Sequence, residues 1–142
     1  MKEVLISAIL LSGICFDPVW AQSPPQLSVT EARQFALAAL SAKQKRMPGF
    51  GLDIDPSANE PLYVFNATWQ GLPDGSVEIG FYAVDPVTGT VWNAVMECEQ
   101  VTTPKLRELQ ANWIKYSGFT KSKLLKFRAP GPQCPTKGDV SH

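Results

Sequence analysis

Residues 28–47 repeat their apolar side chains with the period of an α-helix. The apolar positions on this stripe are Val29, Ala32, Phe35, Ala36, Ala39 and Leu40. Ser28 and Glu31 have the spacing of a capping box, in which each side chain binds an unpaired backbone amide at the helix start. Pro48 and Gly49 stop the repeat. The pattern therefore predicts one amphipathic helix whose small side chains allow close packing against a sheet.

Three later segments alternate between apolar and polar side chains, which is typical of β-strands. They are residues 61–70, 77–84 and 90–101, separated by the turn sequences GLPDG and DPVTG. Pairing Val84 with Thr90 across the second turn sets Tyr82 opposite Trp92. The alternation therefore predicts a three-stranded antiparallel meander, with the helix on one side and Tyr82 and Trp92 together on the other.

A second helix is predicted at residues 104–117, because Pro104 follows a threonine cap and Gly118 ends the apolar repeat. Beyond it, the sequence predicts a short turn of helix and then a tail rich in proline and glycine. Two interpretations of Tyr82 and Trp92 follow. Either the second helix and the tail cover these aromatic side chains, or they form a binding surface.

Residues 1–21 have the three zones of a secretory signal. Lys2 precedes an apolar run of 13 residues, VLISAILLSGICF, and Val19 and Ala21 suit signal peptidase. The run is shorter than the roughly 20 residues that span a membrane. We therefore predict cleavage after Ala21, a periplasmic or secreted bacterial protein without a stable membrane span, a flexible lead at 22–26 and a single α+β domain at 27–142. A retained anchor and a lipid on Cys15 are the alternatives.

Because the chain is predicted to be exported, its cysteine count bears on whether it contains a disulfide. Loss of Cys15 with the signal leaves Cys98 and Cys134, an even pair in an oxidising compartment. A disulfide between these two would join the C-terminal tail to the end of the hairpin, whereas two free thiols are the alternative. The predicted fold is thus an N-terminal helix packed on the three-stranded meander, followed by a C-terminal helix and a disulfide-stapled tail.

Charge is unevenly distributed along the chain. Residues 22–100 hold 4 basic and 9 acidic side chains, whereas residues 101–142 hold 8 basic and 2 acidic ones. This division favours two solvated, oppositely charged faces of one fold, or else a basic patch for an acidic partner. A nucleic-acid partner is not predicted, because the chain is predicted to be exported and has no recognisable nucleic-acid-binding motif.

The helix LSVTEARQFALAAL and the meander ending FYAVDPVTGTVW resemble the PepSY domain and its PepSY-like relatives. In those small exported bacterial modules a helix packs on an antiparallel sheet, and the last hairpin has an Asp-x-x-Thr-Gly turn, matched here by Asp85, Thr88 and Gly89. The resemblance covers roughly residues 27–95; the helix at 104–117 and the cysteine pair depart from it. It implies a non-catalytic module, in some settings linked to the restraint of peptidases.

Reactive side chains are scarce, which excludes most classes of enzyme. His142, the last residue, is the only histidine, so histidine-dependent acid–base or nucleophilic chemistry has no candidate. Neither a cysteine–histidine zinc cluster nor a glycine-rich phosphate loop is present. The sequence therefore predicts no enzyme, no cofactor and no metal.

The segment LDIDPSANE is the one acidic constellation. Its alternating oxygen-bearing side chains are spaced like those of a calcium loop, but Ala58 and Val64 stand where glycine and glutamate are required. Asp53 and Asp55 could also form a carboxylate pair for glycoside hydrolysis, although nothing else supports that chemistry. A solvated turn is the favoured interpretation.

These observations predict an exported, non-catalytic protein-binding module, an inhibitor or immunity protein that restrains a hydrolase or toxin. Its contact surface is predicted in the 47–60 connection, where Phe50 would be an apolar anchor beside Asp53 and Asp55. Tyr82 and Trp92 form the next candidate surface. A plain loop with Phe50 in the core is the alternative for this segment. The alternative function is a periplasmic small-ligand carrier or sensor, with its pocket between sheet and helix.

Overall fold

The computed structural model describes residues 23–56, 61–73, 75–95 and 98–132. Within these ranges the strands form an antiparallel sheet in chain order: β1 Gly51–Ile54, β2 Tyr63–Leu72, β3 Gly75–Val84, β4 Val91–Asn93 and β5 Glu99–Gln100. The helices are α1 Val29–Ala39, α2 Ala42–Lys45, α3 Pro104–Ser117 and α4 Lys121–Lys126. The predicted signal at residues 1–21 lies outside the described residues.

The first predicted helix begins as expected but is divided in two. Ser28 and Glu31 form the capping box, which is confirmed. Helix α1 ends at Ala39 and is capped by Leu40, whose backbone is extended and whose side chain is buried in the core. Ser41 then accepts a hydrogen bond from the Gln44 amide in a second capping box, which starts α2. A second cap inside the apolar repeat therefore ends one helix and begins another.

The predicted N-terminal helix on a three-stranded meander is wrong, because the sheet has two further strands. The first is β1, which lies in the 47–60 segment that we expected to be a connection. It pairs antiparallel with β2, Leu52 opposite Ala67, and the Leu52 side chain is buried in the core. Leu52, Asp53 and Ile54 alternate between apolar and polar, but a run at the lower limit of readable length was interpreted as part of a connection.

The second additional strand arises because the predicted strand at 90–101 folds back on itself. Strand β4 ends at Asn93, whose side chain accepts a hydrogen bond from the Val95 amide at 3.3 Å. Cys98 has a positive φ of 48°, and the chain returns as β5, with Glu99 opposite Asn93. The reversal thus uses an Asx-type side-chain bond and a left-handed residue.

The hairpin register also differs from the predicted one by a single residue. Val84 pairs with Val91 and Ala83 pairs with Trp92, whereas Tyr82 lies opposite Asn93. Because side chains alternate between faces, a shift of one residue moves a side chain to the other face. Tyr82 therefore belongs to the main core on the α1 side, and Trp92 lies on the opposite face.

The main core lies between the sheet and helices α1 and α3. Its buried side chains include Phe35, Leu40, Leu52, Phe65, Tyr82, Val84, Val91, Leu106 and Trp113. The Thr103 hydroxyl caps α3 and donates a hydrogen bond to the Ala38 carbonyl at 2.7 Å, which ties the two helices together. Gly89, at a positive φ of 67°, lies so close to the Phe35 ring that a Cβ atom would not fit.

The C-terminal tail covers the other face of the sheet at one end. Ala129 packs on the small cluster of Leu62, Ala83 and Trp92, and the Arg128 guanidinium lies 5.1 Å from the centre of the Trp92 ring. The tail therefore covers Trp92, as one interpretation expected, whereas Tyr82, which that interpretation placed beside it, lies on the other face. Cys98 is disulfide-bonded, but Cys134 lies outside the described residues, so the predicted pairing of Cys98 with Cys134 in a stapled tail is not shown.

Candidate partner-binding surfaces

The DPVTG turn is built around a buried carboxylate. Asp85 is fully buried, and one of its oxygens accepts hydrogen bonds from the amides of Val87 and Thr88, at 2.8 and 3.4 Å. The other oxygen accepts from the Thr88 hydroxyl at 2.9 Å and from the Ala129 amide at 3.1 Å. These bonds satisfy a carboxylate that would otherwise be costly to bury, and they fasten the tail to the turn. Asp85 is therefore a structural group.

The predicted contact segment does not present its three residues on one surface. Phe50 is half-buried and packs against the main core, as the alternative interpretation expected. Asp53 is exposed on β1, on the sheet face opposite Leu52. The Asp55 backbone amide donates to the Val64 carbonyl at 2.8 Å, and residues 57–60 lie outside the described residues. Phe50 is thus separated from the acids that were expected to flank it.

Tyr82 and Trp92, the second predicted surface, are both buried, at 4% and 5% exposure. They lie on opposite faces of the sheet because of the register described above. Burial raises the pKa of the Tyr82 phenol, and a hydrogen bond with Gln44 opposes this in part. The pair therefore offers no common surface to a partner.

An open apolar groove lies between α1 and α3. We call it the α1–α3 groove; its volume is about 280 Å³, and it is lined by Leu27, Glu31, Gln34, Phe35, Leu109, Asn112, Trp113 and Tyr116. Tyr116 is 80% exposed, and its ring stacks on Trp113 with 5.7 Å between ring centres. The Trp113 indole is fixed in turn, because its Nε1 donates to the Val87 carbonyl at 2.8 Å.

The rim of the α1–α3 groove is polar and carries one charge. The Ser28 amide and hydroxyl each donate to the Glu31 carboxylate at 2.7 Å, and these bonds lower the Glu31 pKa from its ordinary value. Glu31 is therefore ionised at neutral pH. An apolar floor with aromatic side chains inside a polar rim is the usual anatomy of a protein-binding surface.

Sequence reasoning missed this groove although its signal is readable. Leu109, Trp113 and Tyr116 fall at helical spacing, so the apolar stripe of α3 continues beyond the part that the core can cover. Whether Tyr116 is buried depends on how α1 and α3 pack, which the stripe alone does not determine.

A second cavity lies on the other side of α3. We call it the α3–α4 cavity; its volume is about 350 Å³, and it is lined by Thr88, Thr90, Gln100, Arg107, Gln110, Ala111, Ile114, Lys121, Leu124, Leu125 and Arg128. The Gln110 side chain donates to the Gly89 carbonyl at 2.9 Å, so this side of α3 also rests on the DPVTG turn. In the part of the chain that the structure describes, core side chains fill the space between α1 and the sheet, where a small-ligand pocket was expected.

Two features are absent from the described residues. None of the helices at 29–39, 42–45, 104–117 and 121–126 is long and apolar enough to cross a membrane. Within the same ranges, the side chains of His, Cys, Asp and Glu nowhere gather in a group of three or more that could hold a metal ion.

Comparison with known proteins gives a structural relative. No family model matches the sequence, and no curated protein matches it. A chain of a solved structure, described as a type VI secretion system effector–immunity complex from Pseudomonas protegens, is similar with a TM-score of 0.56. The match has 22% sequence identity and covers 71% of this chain and 88% of that chain. At this identity the similarity shows a common fold.

Proposed function

We propose that this chain is an exported, non-catalytic protein-binding module of the immunity type, which binds a hydrolytic toxin and restrains it. The observation that carries the proposal is the similarity of its backbone to a chain of an effector–immunity complex, over most of that chain's length. Binding takes place in the periplasm, after the signal at residues 1–21 has been removed.

The α1–α3 groove is the proposed centre of the contact. Tyr116 presents a large aromatic side chain to solvent, and its stacking on the fixed Trp113 limits the rotamer entropy that binding would cost. Tyrosine and tryptophan dominate the binding energy of protein interfaces when water is excluded around them. Glu31 and Asn112 at the rim supply polar groups for the surrounding contacts.

Protection of growth tests the proposal. Exported hydrolases encoded next to this chain are each directed to the periplasm of a test bacterium, with and without this protein. We expect this protein to restore growth against one of them, and the purified pair to form a complex measurable by calorimetry. A failure to protect against, or to bind, any of these hydrolases would refute the proposal.

Two variants locate the contact within that complex. Tyr116→Ala should weaken binding at least about tenfold, because an exposed aromatic anchor is removed. Val77→Ala is the matched control, since Val77 is an apolar side chain on β3 that is 44% exposed and does not line the groove. Equal affinity of the two variants would move the contact away from the α1–α3 groove.

A further inference from the structure

Three cationic side chains converge on the α3–α4 cavity. Arg107 comes from α3, Lys121 from α4 and Arg128 from the tail, and no acidic side chain is among the residues that line the cavity. Residues 101–132 as a whole carry seven Lys and Arg side chains and a single acid, Glu108. Several positive charges around one concavity raise the local concentration of an anionic ligand.

These cations are not neutralised within the described part of the chain. Glu108 forms an ion pair with Lys105 at 3.0 Å, and no described carboxylate lies within ion-pair distance of Arg107, Lys121 or Arg128. Asp85 stands behind the Thr88 side of the cavity, but its two oxygens are already occupied by the donors of the turn and the tail. Among the described residues, the cavity therefore has a surplus of positive charge, and its three cations are exposed.

One of the three cations is held in place. The Arg128 guanidinium lies over the Trp92 ring, which is itself buried, so its planar group is preorganised for a carboxylate. Part of the remaining wall is apolar, formed by Ala111, Ile114 and Leu124, and the rest carries the polar side chains of Thr88, Thr90, Gln100 and Gln110. A carboxylate on a short aliphatic stem satisfies both features, since its stem contacts the apolar wall while its oxygens meet the cations.

We propose that the α3–α4 cavity binds a glutamate or aspartate side chain from an acidic segment of the protein partner. This inference rests on the proposed function for the kind of partner. The concave shape and apolar wall favour a single side chain over a flat anionic membrane surface. The cavity would act as a second contact, separate from the α1–α3 groove on the other side of α3.

The test uses a hexaglutamate peptide as the probe and hexaglutamine as its uncharged control. Binding is followed by nuclear magnetic resonance, through the side-chain Nε–Hε signals of Arg107 and Arg128. We expect millimolar hexaglutamate to shift both signals at low salt, hexaglutamine to shift neither, and added salt to reverse the effect. An absence of shifts with hexaglutamate would overturn the inference.

Two double variants distinguish binding of hexaglutamate in the cavity from its general attraction to a basic protein. Arg107→Gln with Lys121→Gln removes two cavity cations, whereas Lys115→Gln with Lys126→Gln removes the same charge from residues outside the cavity. The first pair should weaken hexaglutamate binding about tenfold and the second by less than about twofold, because exposed charges are screened. Equal losses would reduce the effect to net charge and refute the site.

Lipid vesicles test whether the cavity contacts a membrane instead of a carboxylate side chain. Binding to a neutralised hydrolase tests whether the inference and the proposed function fail separately. If equimolar phosphatidylglycerol–phosphatidylcholine vesicles shift the two arginine signals while hexaglutamate does not, the cavity is a membrane contact and the inference fails. If a neutralised hydrolase is found and the cavity variant binds it as tightly as the native chain, the inference fails while the proposed function stands. Hexaglutamate binding without any hydrolase partner would leave the carboxylate site but refute the immunity function.

Discussion

The two sides of helix α3 differ in chemistry although they rest on the same turn. One side faces the α1–α3 groove with Leu109, Trp113 and Tyr116, and the other faces the α3–α4 cavity with Arg107 and Ile114. Both sides are anchored to the DPVTG turn, through the Trp113 indole and the Gln110 amide. The turn therefore sets the position of an apolar surface and a cationic one at once.

This difference in chemistry predicts that the two surfaces affect different steps of binding. Apolar aromatic contacts that become desolvated supply most of the affinity of a complex. Charges that face solvent mainly accelerate association and select the partner, and their effect falls as salt is added. The groove should thus determine how long a complex lasts, and the cavity how fast it forms.

The largest expected effect comes from removing the side chain that joins core and groove. Trp113 is buried, and Trp113→Ala would leave a cavity in the core as well as an unpaired Val87 carbonyl. We expect a loss of about 3–5 kcal/mol in the free energy of unfolding, measured by urea denaturation. Tyr116→Ala is the control on the same helix face, and it should cost less than about 1 kcal/mol because its ring is exposed. A similar loss in both variants would mean that Tyr116 is part of the core.

The next effect concerns the turn on which both sides of α3 depend. Asp85→Ala removes the acceptor of the Val87, Thr88 and Ala129 amides and leaves these donors unsatisfied. We expect a destabilisation of roughly 2–4 kcal/mol, and hydrogen exchange should show faster opening around Ala129 in the tail as well as in the turn. Thr88→Val, which removes one of the four donors, should cost less. Exchange that changed only in the turn would contradict the role of Asp85 in fastening the tail.

The helix caps, the hairpin turn and the segments of β2, β3 and β4 were predictable from the sequence, whereas β1, β5, the hairpin register and the groove were not. Ser28 with Glu31, Thr103 with Pro104, and Asp85 with Gly89 act on backbone groups a few residues away, so local spacing is sufficient. Strand β1 and the hairpin register depend on pairing between distant residues, and here Leu52 and Trp92 took positions that alternation alone did not determine.

The positions of the candidate contact residues could not be predicted for the same reason. Phe50 and Asp53 are near neighbours in sequence, but packing against the core and strand alternation place them on different faces. The sequence shows that Tyr116 continues the apolar stripe of α3, but its exposure depends on how α1 and α3 pack together. Only the excess of basic charge after residue 101, which is a property of composition, pointed to the α3–α4 cavity in advance.

A kinetic comparison sharpens the division between the two sides of α3. In a complex with a neutralised hydrolase, the Arg107→Gln and Lys121→Gln variant should slow association by about tenfold at low salt and leave dissociation nearly unchanged. Tyr116→Ala should show the reverse, a faster dissociation with little change in association. Surface plasmon resonance at two salt concentrations measures both rates. Identical kinetic signatures for the two variants would remove the distinction.

The smallest expected effect lies at the rim of the groove and depends on pH. The Ser28 hydrogen bonds lower the Glu31 pKa in the folded chain, so the ionised carboxylate stabilises the start of α1. A folded-state pKa below the unfolded one gives stability that is complete above the unfolded pKa, about 4 for glutamate, and is lost as pH falls through the folded value. Glu31→Gln should therefore melt slightly below the native chain at neutral pH. The gap should close as the pH falls below about 4. Glu108→Gln is the control with the same change of charge, because the Glu108 side chain is exposed on α3. A gap that widened on acidification would contradict a lowered pKa at Glu31.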